Sequence, residues 1–190
     1  MMEKSQFSTP LPVSAVQVDD PFWGRVMELV RTKVIPYQWE ALNDRIEGAS
    51  PSHCMENFRV AAGMQEGEFH GCVFQDSDVA KWLEAVGYSL IVHPDAELEK
   101  TADEAIDVIC AAQQPDGYLD TYYIINGLDK RWTNLCNNHE LYCLGHLLEG
   151  AIAYYDATGK RKLLDAIIRY VDYVDSVFGT EPGKINGYPG

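Results

Sequence analysis

The amino-acid sequence predicts an all-α domain built from helical hairpins, and three observations lead to this fold class. Apolar side chains recur at steps of three or four residues through most of the 190 residues, which is the period of an amphipathic helix. Pro and Gly separate these segments at hairpin distances. The pattern also repeats without gaps, because Leu83-Glu84 recurs 65 residues later as Leu148-Glu149.

Repeated hairpins of this length either stack as a solenoid or close into an α/α toroid, in which the inner helices line a central pocket. The first helix of each repeated pair is the more apolar one, so we predict a toroid with that helix inside. The N-terminal helices form a looser third hairpin. A closed ring of six hairpins needs about twice this length, so the chain is expected to form about half of a six-hairpin barrel.

The N-terminal part has two segments. Residues 1–20 are predicted to form a short extended N-terminal arm, whose spaced valines also suit one short strand. Residues 21–190 are assigned to the barrel portion, which starts at Asp20-Pro21 with an acidic cap and a proline in the first turn. Pro36 ends or kinks this first helix. The helix carries an apolar stripe made of Phe22, Trp23, Val26, Leu29 and Val30.

The two repeated hairpins follow. Asp76-Ser77-Asp78 is predicted to cap the first of their helices, Gln114–Tyr118 is a turn, and residues 119–125 are extended. The hairpin helices are expected over residues 77–92, 95–112, 137–156 and 160–178. The packed face of the third is predicted to consist of Leu141, Leu144, Leu148, Ile152 and Tyr155.

Composition narrows the functional classes. The net charge of −14 argues against binding to nucleic acid and to anionic membranes, since both require a basic surface. The chain starts without an apolar signal core, and no run approaches the roughly 18 apolar residues of a membrane span. Five cysteines without a C-x-x-C pair indicate reduced thiols in a cytoplasmic protein.

The helix at 137–156 carries the first candidate site. Cys136, His139, Cys143 and His146 are spaced by three, four and three residues, which suggests zinc binding. Ten helical residues span roughly 15 Å, so the four cannot meet one ion, and only a neighbouring pair could. The alternatives are buried histidines that hydrogen-bond beside small thiols, or His139 as a residue that contacts a ligand.

Acidic residues form the second candidate. The 65-residue repeat places His139 and Glu140 opposite Phe74 and Gln75, with Asp76 and Asp78 close by, so two hairpins present polar groups at the same end. Paired carboxylates there would suit acid/base work on a glycosidic bond. The alternative is helix capping by the two aspartates.

The loop Gln113–Tyr123 is the third candidate. Its tyrosines, predicted to be exposed, lie beside Asp116, and aromatic rings next to carboxylates and amides suit sugar recognition. Asp116 and Tyr118 are therefore predicted substrate contacts. The alternative is a connecting loop whose tyrosines close the hairpin.

Five separated motifs then identify a relationship. The chain resembles the N-terminal part of β-L-arabinofuranosidase-type proteins of glycoside hydrolase family 127, formerly a domain of unknown function. The resemblance runs from about residue 16 to the end. It rests on Val18-x-Asp20-Pro21-Phe22-Trp23, Asn57-Phe58-Arg59, Asp76-Ser77-Asp78-Val79-x-Lys81-Trp82-Leu83-Glu84-Ala85, Gln114-Pro115-Asp116-Gly117-Tyr118-Leu119-x-Thr121-Tyr122 and His139-Glu140-Leu141-Tyr142-Cys143-x-Gly145-His146-Leu147.

The resemblance implies a six-hairpin α/α barrel and a retaining glycosidase. In that family a zinc-held cysteine thiolate is the nucleophile, a glutamate is the acid/base, and the zinc ligands include an adjacent Cys-Cys pair. This sequence has no Cys-Cys pair, so none of its cysteines is assigned to the nucleophile or to zinc, and the catalytic residues are expected beyond Gly190. His139, Asp78, Asp116 and Tyr118 are carried over as substrate-binding residues.

The expected function is that of a glycoside hydrolase fragment that holds part of a sugar pocket and is inactive alone. Its partner would be an arabinose-containing oligosaccharide or glycoconjugate, and zinc is expected only in the full-length family enzyme. The alternative is a self-associating helical-repeat module that binds carbohydrate or protein and forms a homodimer through its exposed barrel seams.

Overall fold

The computed structural model describes residues 11–187, and within that range the chain is helical and contains no strands. The all-α prediction is confirmed. None of the helices in this range has the length and apolarity that crossing a membrane requires. The helices are α1 (Pro21–Leu29), α2 (Ile35–Leu42), α3 (Cys54–Ala61), α4 (Asp76–Val92), α5 (Ala96–Ala111), α6 (Thr121–Asn126), α7 (Leu135–Asn138), α8 (Glu140–Thr158) and α9 (Lys162–Val177).

Two helical hairpins, α4/α5 and α8/α9, form the body of the molecule. The first helices of both pairs run parallel and touch along their lengths, since Ala80 lies against Gly150 and Gly87 lies against Ala153. The second helices also run parallel, and Lys162 reaches Asp107 across them at 2.6 Å. The structure thus contains both predicted hairpins, side by side, while closure into a ring stays a prediction.

The packed face of α8 differs from the predicted one. Ile152, which was expected inside, is 45% exposed, whereas Leu147 and Tyr154 are buried. The reason is the close approach of α4: a Cβ atom on Gly150 would lie 2.6 Å from the carbonyl oxygen of Ala80. Only a face of small residues allows such backbone contact, so Gly and Ala rather than the large aliphatic residues determine which side packs.

The N-terminal segment is only partly as predicted. Residues 1–10 of the predicted arm lie outside the described residues, and Val13–Ala15 form a 3₁₀ turn and no strand. Asp20 does cap α1, because its carboxylate accepts the N–H groups of Phe22 and Trp23 at 2.9 and 2.7 Å. However, the apolar stripe of α1 is not packed, since Phe22 is 65% and Trp23 is 58% exposed.

Pro36 does not end the helix: it lies in the first turn of α2. A π turn at Val30–Val34 connects α1 to α2, and α2 continues through the proline to Leu42. The α2 helix is attached to α4, because the indole N–H of Trp82 donates to the carbonyl oxygen of Ile35 at 3.0 Å. The ring of Trp82 also stacks on Trp39 at 4.6 Å.

Residues 119–125 are not extended, and Asp76 does not cap its own helix. The segment folds into α6 because Asp120 caps it, accepting the N–H of Tyr123 at 3.2 Å. Asp76 binds the same helix start from α4: its two oxygens accept the N–H and the hydroxyl of Thr121 at 2.7 and 2.6 Å. The N-terminus of α6 is therefore satisfied from another helix, which a local sequence pattern does not reveal.

Candidate functional site

The site is built where the N-terminal ends of α4 and α8 meet. The ring of His139, which precedes α8, packs edge-on against Phe74, which precedes α4, with 5.3 Å between ring centroids. It also touches Tyr142 at 5.6 Å. The contact between His139 and Phe74 confirms the pairing that the 65-residue repeat predicts.

His139 has an unusual backbone conformation. It lies at φ 59°, in the left-handed region, between the short α7 and α8. Non-glycine residues in this region are uncommon, and they concentrate at functional sites. The Nδ1 atom lies 2.7 Å from the carbonyl oxygen of Asn137. Because a carbonyl only accepts, Nδ1 donates there, and Nε2 is left as the hydrogen-bond acceptor of the ring.

Asp78 lies on the wall of a cavity of about 410 Å³ between α2 and α4. Its carboxylate accepts a hydrogen bond from Gln75 at 2.7 Å, and Lys81 approaches it at 3.9 Å. Burial raises the pKa of Asp78, while Lys81 and Gln75 act in the opposite direction. The cavity is lined by Gln38, Ala41, Leu42, Ser52, Asp78, Lys81, Trp82 and Ala85.

Lys81 connects this cavity to a row of rings on α8. Its ammonium group donates to the hydroxyl of Tyr142 at 3.1 Å. Tyr142 in turn packs edge-on against His146 at 4.6 Å. Aromatic faces beside imidazole, amide, ammonium and carboxylate groups provide the contacts that a sugar requires. Sequence reasoning did not select Lys81, although its spacing of three residues from Asp78 is a usable signal.

Two carboxylates behind this surface are structural. Glu140 is fully buried and accepts the hydroxyl of Tyr118 at 2.6 Å and the N–H of Trp132 at 2.9 Å. Burial raises its pKa to about 6, against the effect of these two donors. Burial likewise raises the pKa of Asp76 to about 6, against its hydrogen bonds to Thr121. Both groups serve as internal hydrogen-bond acceptors in this structure.

The structure does not bring Asp116 and Tyr118 to the surface that carries His139 and Asp78. Asp116 is exposed and pairs with Arg131 at 2.7 Å near α9. Tyr118 is fully buried, so the expectation of an exposed tyrosine there is wrong. Tyr118 is held in the core because its hydroxyl donates a hydrogen bond to the buried carboxylate of Glu140. As substrate contacts, Asp116 and Tyr118 stay predictions.

The cysteines do not form a metal centre in the described part of the chain. Cys54 and Cys143 are buried, and burial raises the pKa of both thiols, which keeps them protonated. Among residues 11–187, the group of three metal-ligating side chains that lie close together is Asp44, His53 and Glu56. It contains no cysteine, so these residues do not fit the cysteine-bound zinc that the resemblance implies.

Comparison with known proteins identifies the relatives of this chain. Residues 15–190 match the family model described as β-L-arabinofuranosidase, GH127 catalytic domain. The chain belongs to glycoside hydrolase family 127. It is 44% identical over 191 aligned positions to a non-reducing end β-L-arabinofuranosidase of Bifidobacterium longum subsp. longum, and the match covers 92% of this chain and 29% of that protein.

Solved structures of family 127 members are also similar to this chain. A β-L-arabinofuranosidase from Geobacillus stearothermophilus is 61% identical, with a TM-score of 0.89 over 92% of this chain and 28% of that one. A second family 127 β-arabinofuranosidase is 34% identical, with a TM-score of 0.83 over 95% of this chain and 29% of that one. The chain therefore spans less than a third of the length of these relatives.

Proposed function

We propose that this chain is the N-terminal portion of the catalytic domain of a β-L-arabinofuranosidase and supplies one side of its sugar pocket. The substrate would be an arabinose-containing oligosaccharide or glycoconjugate. The observation that carries the proposal is the meeting of two helix N-termini: His139 and Phe74 touch where α8 and α4 begin, and Asp78 lines the cavity on the same end of α4.

The side chains at this end have distinct tasks in the proposal. The Nε2 atom of His139 accepts a hydrogen bond from a sugar hydroxyl, since Nδ1 is engaged by Asn137. Asp78 accepts another, held in place by Gln75 and Lys81. The Tyr142 ring offers a face or edge to the C–H groups of the sugar.

This chain alone is proposed to bind but not to hydrolyse. Cleavage with retention requires a nucleophile and an acid/base group, and the buried thiols of Cys54 and Cys143 are kept neutral by their surroundings. The catalytic groups, and the zinc of the full-length family enzyme, are proposed to come from sequence beyond Gly190.

The deciding experiment measures hydrolysis and binding separately. The purified chain is offered an aryl β-L-arabinofuranoside with zinc and reductant, and no turnover is expected. L-Arabinose binding is followed by NMR shifts of the histidine rings. We expect His139→Ala to abolish those shifts, whereas His93→Ala, at the opposite end of α4, should not. Turnover that survives replacement of all five cysteines would contradict the proposed division of labour.

A second candidate, self-association, is favoured by one specific observation. The described arm and α1 expose large apolar side chains, including Trp23 at 58% and Leu11 at 75%, and α1 contains no buried residue. Exposed apolar surface of this kind usually marks an interface. A homodimer formed through this seam is expected to dissociate in Phe22→Ser/Trp23→Ser, as measured by light scattering. A wild-type monomer at all concentrations would exclude it.

The cellular location is proposed to be the cytoplasm. All five cysteines are free, in agreement with a reducing compartment. Fractionation of cells that express the protein with its own sequence would test the assignment, and recovery outside the cytoplasm would contradict it.

A further inference from the structure

A second polar cluster lies in the connection between α2 and α3, and the sugar-binding proposal does not use it. Asp44 belongs to the loop after α2, His53 immediately precedes α3, and Glu56 is in the first turn of α3. Their ligand atoms all lie within 4.8 Å of one another. The Nδ1 atom of His53 is 2.8 Å from the Glu56 carboxylate.

The chemistry of this set is that of a transition-metal site. One imidazole and two carboxylates are ligands that Zn²⁺ accepts, at about 2.0–2.2 Å each. Ligand atoms around such an ion are separated by roughly 3–4 Å, so the observed spacing needs only small side-chain adjustments. Asp44 is exposed, which gives an ion and its remaining water ligands access from solvent.

The carboxylate of Asp44 is already oriented toward the histidine. It accepts the backbone N–H of Ser52 at 2.5 Å and that of His53 at 3.1 Å. Hydrogen bonds that fix a ligating carboxylate are a regular feature around bound metals, and they reduce the ordering required on binding. Ser52 also lines the cavity beside Asp78, so the cluster adjoins the wall of the proposed sugar pocket.

A second imidazole, that of His70, is held next to the cluster by hydrogen bonds that do not involve the three ligands. The ring of His70 is 5.1 Å from that of His53. Its backbone is clamped by Asn57, which is completely buried and makes hydrogen bonds of 2.8 and 3.1 Å to the main chain of His70. The long loop before α4 thus places a second imidazole beside the cluster, outside the group of three whose ligand atoms lie within 4.8 Å of one another.

We propose that Asp44, His53 and Glu56 bind a divalent transition-metal ion, with Zn²⁺ as the preferred ion and water completing its coordination. The site would be structural, because it fastens the loop between α2 and α3 to the first turn of α3. It has a nitrogen and oxygen ligand set, unlike the cysteine-bound zinc expected elsewhere in family 127.

The chain contains a matched control for this proposal. His146 and Glu149 on α8 have the same three-residue spacing, and their Nδ1 and Oε2 atoms are 3.0 Å apart. That pair is not part of a group of three close ligands among residues 11–187. A histidine–glutamate pair without the third carboxylate therefore serves as the internal reference.

The experiment titrates the purified chain with Zn²⁺ by calorimetry at mildly alkaline pH, and with Co²⁺ by visible absorption. We expect one ion per chain and a cobalt spectrum without thiolate charge-transfer bands. Glu56→Gln keeps the side-chain shape and should weaken binding at least about tenfold, as should His53→Ala. His146→Ala should bind like the wild type.

Two outcomes would overturn the proposal. One is equal Zn²⁺ affinity in wild type, Glu56→Gln and His53→Ala, each checked for folding by circular dichroism. The other is a cobalt spectrum with thiolate bands, which would assign the ion to cysteine. Because the readout is metal binding, a negative result leaves the sugar-pocket proposal unaffected, and failure of that proposal leaves this one standing.

Discussion

The contact between α4 and α8 predicts opposite effects for two alanine substitutions on one helix. At Gly150, an added Cβ would lie 2.6 Å from the carbonyl oxygen of Ala80, about 0.8 Å short of the 3.4 Å at which ordinary contact begins. The obstacle is backbone, so no rotamer change relieves it. At Gly145, on the same helix, an added Cβ meets nothing within 4 Å.

The expected magnitudes follow from these distances. Overpacking of a close contact costs about 1–3 kcal/mol. If the two helices move apart to make room, a gap of about 0.5–1 Å between them forfeits a quarter to a half of the energy of each dispersion contact. Replacing a helical glycine by alanine returns about 1 kcal/mol. Because the obstacle at Gly150 is backbone, the overpacking cost is expected at the upper end of its range, about 3 kcal/mol. Gly150→Ala should therefore lower the free energy of unfolding by about 2 kcal/mol, whereas Gly145→Ala should raise it by about 0.5–1 kcal/mol.

The assay is reversible urea unfolding followed by far-ultraviolet circular dichroism, with a thermal melt in parallel. For a chain of this size, the loss of 2 kcal/mol in Gly150→Ala corresponds to a melting temperature lower by about 4–8 °C. If Gly150→Ala proves as stable as Gly145→Ala, the two helices do not touch as described and the packing argument is wrong.

Three further predictions concern the buried polar groups and the tryptophan anchor. Asp76→Ala should destabilise the chain by about 3 kcal/mol in urea unfolding, because two donors of α6 lose a charged acceptor, whereas Asp78→Ala should cost less than about 1 kcal/mol. Trp82→Phe should cost about 1–2 kcal/mol, because it removes the hydrogen bond that fastens α2 and reduces the ring area stacked on Trp39; a variant with wild-type stability would count against that anchor. Burial raises the pKa of Glu140 from 4.5 to about 6, so the folded state holds this proton more tightly than the unfolded state. Its contribution to stability is full below about pH 4.5 and is lost as the pH rises to about 6, so the stability of the wild type relative to Glu140→Gln should fall over that interval. A flat or rising difference would contradict the assigned environment.

Much of the helical framework is accessible from sequence, because it depends on local signals. The four hairpin helices have a clear three-to-four-residue apolar period. The start of α5 is also capped by Asp95, whose carboxylate accepts the N–H groups of Glu97 and Leu98. The repeat also aligned His139 with Phe74, since equivalent helices in the two hairpins run parallel.

Features that depend on contacts between residues far apart in the chain could not be predicted from the sequence. The inward face of α8 is decided by Gly150 against α4, and large aliphatic residues such as Ile152 give a misleading signal. Tyr118 reads as an exposed loop residue until Glu140, which lies 22 positions away, is seen to accept its hydroxyl. Asp76 caps α6 across a sequence separation of 45 residues, which no local capping rule covers.

The candidate metal ligands show the same division. His53 and Glu56 have a recognisable spacing of three residues, but Asp44 joins them only because the loop folds back and donates two backbone N–H groups to its carboxylate. The third ligand is therefore a consequence of loop conformation, and the sequence offers no spacing rule for it.

The π turn at Val30–Val34 amounts to a single inserted residue in an otherwise continuous helix. One extra residue rotates everything after it by about 100° about the helix axis. That phase shift brings Ile35 and Leu42, the buried positions of α2, onto the same side of the helix as Val26 and Val30. In an uninterrupted helix they would lie on the opposite side. A deletion of one residue within the turn would restore the regular period, and it would swing Trp39 away from Trp82. The insertion thus sets the register in which the first helix meets the hairpin layer.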